Sequence, residues 1–127
     1  MEPVNLFKLA ASHNAWLAAR QVTVASNVAN ADTPGYRAVD VEPFSVAISE
    51  AGKALAVTST KHVATTGAAG GTFAAVPETE SWATKHTGNS VSIEQELLKA
   101  QEIRKSYALN TSIIKAFHSM LLAATKG

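Results

Sequence analysis

Cysteine is absent from the 127 residues. That excludes disulfides, thiolate metal sites and a cysteine nucleophile, and it spares an exported chain from mispairing in an oxidising compartment. Aromatic residues are scarce, at 6% against an apolar fraction of 46%, so alanine and valine carry much of the apolar content. Anchors for a thick core are few, and thin elements packed helix on helix are expected instead. Charge of one sign is not in excess either. The formal net charge is +1 and each half is near balance, so the electrostatic footprint of a nucleic-acid binder is missing. Without a run of about 18 apolar residues, no transmembrane helix is expected. The opening Met1-Glu2-Pro3-Val4-Asn5-Leu6-Phe7-Lys8 lacks a basic stretch followed by an apolar one, so a cleaved secretion signal is not expected.

What is present is periodicity at both ends. Residues 5–32 read as one helix. Ala11, Ala15, Ala18, Val22, Ala25 and Ala29 recur at alternating spacings of four and three, a heptad-type seam of small residues. Leu6, Ala10, Leu17, Val24 and Val28 form a neighbouring stripe. Small residues admit a close neighbour but bury little area each, so this helix is expected to be marginal until it is covered. Thr33-Pro34-Gly35-Tyr36 ends it. Pro34 disfavours helical geometry at Thr33, and Pro-Gly suits the central positions of a type II turn. Tyr36 is expected to pack back on the helix.

Ser92 to Lys126 is the strongest helical segment. Ser92 and Gln95 form a capping-box pair. The seam then runs Ala100, Ile103, Tyr107, Asn110, Ile114, Phe117, Leu121 and Ala124, again by threes and fours. Glu94, Glu96 and Glu102 come early and Arg104, Lys105, Lys115 and Lys126 later, an order that complements the helix dipole. The length is roughly 50 Å at ~1.5 Å per residue. Asn110, the polar member of the seam, can set register at some cost in stability.

The middle, residues 37–90, is weakly patterned. Pro43 to Ala51, closed by Gly52, fits a short helix. Leu55–Thr58 and Thr72–Val76 are candidate short strands, and the Thr-, Ser-, Ala- and Gly-rich composition is that of a segment flexible in the free monomer. The expected fold is mainly α: two long terminal helices packed as an antiparallel coiled-coil-like pair, around a loop-rich middle with room for short strands. The divisions are 1–36, 37–90 and 91–127. A pair alone leaves an apolar face on each helix, and those faces need partners.

Chemistry is sparse. His13, His62, His86 and His118 make no close ligand pair or His-Glu-x-x-His pattern. No Gly-x-Ser-x-Gly elbow or phosphate-cradling loop occurs. Asp32, Asp40 and Glu42 cluster loosely and read as a turn and a solvated surface. No catalytic residue, metal, cofactor, nucleic acid or small-molecule substrate is expected. Trp16 reads equally as an interface anchor or an ordinary packing residue. Trp82, in the polar middle, reads as a docking contact.

The stretch Arg20 to Ala38 resembles the N-terminal signature of the flagellar rod and hook family. Asn27-Val28-Ala29-Asn30 and Thr33-Pro34-Gly35-Tyr36 match its Asn-Ile/Val-Ala-Asn and Thr-Pro-Gly-Tyr/Phe elements. Ala38-Val39-Asp40-Val41, Thr60-Lys61-His62-Val63, Gly88-Asn89-Ser90-Val91-Ser92-Ile93-Glu94-Gln95-Glu96 and Ser106 to Leu121 are similar to the short proximal-rod members of the family. The resemblance implies a structural subunit exported through the flagellar type III apparatus without a cleaved signal. It implies assembly into a helical tube that transmits torque across the periplasm. Its implied partners are copies of itself, other rod proteins, the inner-membrane ring and the export gate. A second reading is a cytoplasmic secretion adaptor or chaperone that binds a partner helix in a groove.

Overall fold

The computed structural model describes residues 3–54, 73–79, 81–82 and 84–127. The elements are α1 (Pro3–Ala29), β1 (Val39–Val41), α2 (Phe44–Ala54), β2 (Ala75–Pro77) and α3 (Ile93–Lys126). The periodic ends of the sequence form α1 and α3, and these pack antiparallel. Residue numbers run in opposite directions along their contact. Phe7 meets Phe117 edge to face, with ring centroids 5.6 Å apart. The Asn110 amide donates to the Ala10 carbonyl at 3.0 Å and to Asn14 Oδ1 at 2.6 Å. Leu17 and Val24 pack with Ile103, flanked by Trp16 and Ala100.

The face that α1 turns to α3 is the stripe of Ala10, Leu17 and Val24, all buried. It is not the alanine-rich seam, which corrects the expectation that the pair buries that seam. Ala11, Ala18, Val22, Ala25 and Ala29 are exposed and Ala15 is half-buried. Apolar area decides between the two stripes. Leucine and valine each remove more surface from water than alanine does, at about 25 cal/mol per Å². α3 covers only part of the expected seam, and Ala124 at its end is exposed. Ile103 is buried and Asn110, Ile114, Phe117 and Leu121 are half-buried, whereas Tyr107 is exposed.

The helix boundaries have local causes. α1 stops at Ala29, short of Asp32, because the chain tightens. The Asn30 amide donates to both Ser26 and Asn27 carbonyls, and the Ala31 amide donates to Val28. Ser92 caps α3, its Oγ accepting from the Gln95 amide at 3.4 Å. α2 begins after Pro43, whose carbonyl accepts from the Val46 and Ala47 amides. It continues through Gly52 to Ala54, so that glycine does not end the helix as expected.

β1 and β2 form an antiparallel ribbon in the register Val39↔Pro77, Asp40↔Val76, Val41↔Ala75. β2 lies slightly beyond the expected Thr72–Val76. β1 lies where only a resemblance, and no strand, was read. The candidate strand Leu55–Thr58, the element Thr60-Lys61-His62-Val63 and the flexibility expected for the Gly- and Thr-rich stretch fall on residues 55–72, outside the described residues.

Candidate functional site

The signature residues converge on one corner, where α1 ends, the chain turns and β1 begins. Asn27 is fully buried. Its Nδ2 donates to the Val39 carbonyl at 2.7 Å. Its Oδ1 accepts from the Val39 amide at 3.1 Å and from the Tyr36 hydroxyl at 3.2 Å. A side-chain amide carries the same donor and acceptor as a peptide group, so Asn27 acts as a one-residue strand partner for Val39. An aspartate lacks the donor and an alanine lacks both groups.

Asn30 works closer to home. Its Nδ2 donates to the Ser26 carbonyl at 2.8 Å, and its Oδ1 accepts from the Thr33 hydroxyl at 3.2 Å. The turn then follows from the backbone. Gly35 has φ +74°, the left-handed value that a type II turn needs at its third position, and the Tyr36 amide closes on the Thr33 carbonyl at 3.2 Å. Thr33, Pro34 and Gly35 are exposed, while Tyr36 is half-buried and packs on Ala31, Ala38 and Val91.

Asn89 completes the corner from the other end of the chain. It too is fully buried. Its Nδ2 donates to the Asn30 carbonyl at 2.8 Å and the Thr33 carbonyl at 2.7 Å, and its Oδ1 accepts from the Val91 amide at 2.8 Å. Backbone bonds from Gly35 to Thr87 (2.9 Å) and from Ser90 to Tyr36 (3.0 Å) stitch the same junction. The Ala38 amide donates to Ser90 Oγ at 2.8 Å. Sequence reasoning singled out Asn27 and Asn30 but not the role of Asn89. Its signal was a Gly-Asn pair just ahead of a helix cap.

Beside the corner lies a mixed charge cluster. Arg20 holds Asp40 through two bonds, at 3.1 and 3.2 Å, and reaches Glu102 at 3.5 Å. Lys99 contacts Glu78, Glu96 at 3.2 Å and Asp40 at 3.7 Å. Asp40 is therefore not the solvated turn residue expected, and Glu96, expected to serve the helix dipole, is fully buried. Burial pushes the Asp40 carboxyl up, but Arg20, the Val41 amide and Lys99 outweigh it and hold it below the usual carboxylate range. Burial pulls the Lys99 ammonium down, but Glu78, Glu96 and Asp40 outweigh it and raise it. Asp40 thus contributes stability above the unfolded value of about 4, lost as pH falls below it, and Lys99 contributes below about 10.4, lost as pH rises beyond it.

The remaining candidates sit apart. His13 lies against Phe44 and Trp16, with centroids 4.8 and 5.8 Å away. The Trp16 indole donates to the Glu42 carbonyl at 2.8 Å, so it packs within the chain. His86, His118 and Trp82 are exposed. Among the described residues no cluster of three metal-binding side chains occurs, and no helix is long and apolar enough to cross a membrane. Beside the residues it packs on α1, α3 carries a second apolar line. Leu98, Leu109, Ile113 and Met120 are 46–62% exposed, and their spacing puts them on one face.

Comparison with known proteins adds an independent observation. The sequence model of the family described as flagella basal body rod protein matches residues 9–37, which contain most of α1 and the whole turn. The chain is 35% identical over 129 aligned positions to the flagellar basal body rod protein FlgB of Agrobacterium fabrum, covering 99% of this chain and 96% of that relative. It is 37% identical over 118 positions to FlgB of Aeromonas hydrophila, covering 85% and 83%.

Proposed function

The chain belongs to the flagellar basal body rod protein family, and from that premise we propose how it serves as a structural subunit of the proximal rod. Subunits leave the cytoplasm unfolded through the flagellar type III apparatus. They join a helical tube that spans the periplasm and transmits torque. α1 and α3 lie in the tube wall, against copies of this chain and other rod proteins. The middle segment meets the inner-membrane ring or the export gate.

One observation carries the assembly reading. Both long helices keep an apolar face after they have paired with each other. On α1 it is the seam Ala11, Ala15, Ala18, Val22, Ala25 and Ala29, with Val22 69% exposed. On α3 it is Leu98, Leu109, Ile113 and Met120. Burying these faces between subunits offsets the entropy of ordering a chain that arrives unfolded.

Isolated basal bodies provide the test. A tagged chain that complements a deletion strain is expected to restore flagella and to co-purify with the rod. Retention in the cytoplasm while flagella are restored overturns this reading in favour of a secretion adaptor.

A further inference from the structure

The two strands of the ribbon are held by different means. β1 is tied to α1 by Asn27, and its flank is buried through Ala38 and Val41. β2 has little apolar hold. Ala75 and Pro77 are exposed and Val76 is half-buried. A ribbon of three residue pairs is marginal by itself. β2 is joined to α3 through Glu78, the next residue along, and beyond it through Trp82, whose backbone amide donates to Gln95 Oε1 at 3.3 Å. The Glu78 carboxylate takes the Lys99 ammonium and accepts from Gln95 Nε2 at 2.8 Å, while its own backbone amide donates to the Ala38 carbonyl at 3.1 Å.

We propose that Lys99 is the pin of an ionic latch that closes β2 onto the helix pair, and that β2 detaches as a unit when the pin is withdrawn. Four elements or their flanks bring charge to it: Arg20 from α1, Asp40 from β1, Glu78 beside β2, and Glu96, Lys99 and Glu102 from α3. Two cations face four carboxylates. One oxygen each of Glu78 and Glu96 is buried without a hydrogen-bond partner, so these groups depend on the ammonium. Withdrawing Lys99 leaves Glu78 and Glu96 without a cation and Asp40 with Arg20 alone, and breaking one partner of a buried pair is far costlier than never having built it. The latch therefore fixes β2 separately from the hold of Asn27 on β1.

Amide hydrogen exchange separates the parts. The Glu42 amide donates to Ala74 and the Glu78 amide to Ala38, so both report the β1–β2 ladder; the Val39 amide reports the hold of Asn27 on β1. In the full chain with Lys99→Met, the Glu42 and Glu78 amides are expected to exchange faster, on the order of a hundredfold. Val39 and the amides of mid-α3 are expected to stay within about twofold, as for a sub-global opening. Glu78→Gln, which keeps an acceptor and removes only the charge, is expected to show the same pattern at about tenfold, and serves if Lys99→Met does not fold. Unchanged ladder amides in the folded variants overturn the latch. So does loss of protection at Val39 and α3 together with the ladder, because β2 is then not a separate unit.

Discussion

The two ends of the helix pair are closed by opposite chemistry. Where α1 finishes, Asn27 and Asn89 are completely buried, and their amide groups meet donors and acceptors of the turn, of β1 and of Val91 ahead of α3. Where α1 starts, Phe7 touches Phe117 edge to face, and Leu6, Ile114 and Leu121 are only half-buried. The polar end is satisfied inside one chain, so its geometry is specified without help. The apolar end is left partly open, so its stability depends on what is laid against it. A subunit that must hold a defined shape at one junction and accept neighbours along its length needs both.

Three substitutions test this contrast, in decreasing order of effect on the isolated chain. Asn27→Ala strands the Val39 amide and carbonyl and the Tyr36 hydroxyl. With about 1–3 kcal/mol for each buried orphan, unfolding by denaturant is expected to show a loss of at least about 3 kcal/mol. A loss under about 1 kcal/mol would break the contrast, because the corner would not be self-specified. Phe117→Ala removes a half-buried ring. A fully buried phenylalanine costs about 3–5 kcal/mol to truncate, so roughly 1–2 kcal/mol is expected in the same measurement. Leu109→Gln changes a residue that is 62% exposed. Monomer stability is expected to move by no more than about 0.5 kcal/mol, while recovery of the protein in isolated rods falls. Normal rods from that variant would show that this face is left uncovered.

The helices and the turn were legible because their signals are local. A three-and-four rhythm sustained over many turns, a serine cap, and Pro-Gly at a helix end each act within a few residues. Which stripe of α1 packs was not legible. Two apolar stripes share that helix, and periodicity ranks neither; side-chain area does, and only once α3 is in place. β2 overlaps an expected strand, but β1 escaped because three residues carry too little alternation, and the pairing escaped because Val39 and Pro77 are brought together only by the fold. Asn89 and Lys99 escaped for the same reason. Both look like ordinary surface residues until their partners, tens of positions away, are known.

Asn27 also settles the fate of the outer rim of β1. On the side away from β2, the Val39 amide and carbonyl are taken by Asn27, and the Val41 amide by Asp40 Oδ1 at 2.8 Å. An unpaired strand rim is a template on which a foreign chain can continue the sheet. Here a helix side chain and a carboxylate occupy that template. Subunits can crowd together side by side without this rim seeding cross-chain β-pairing.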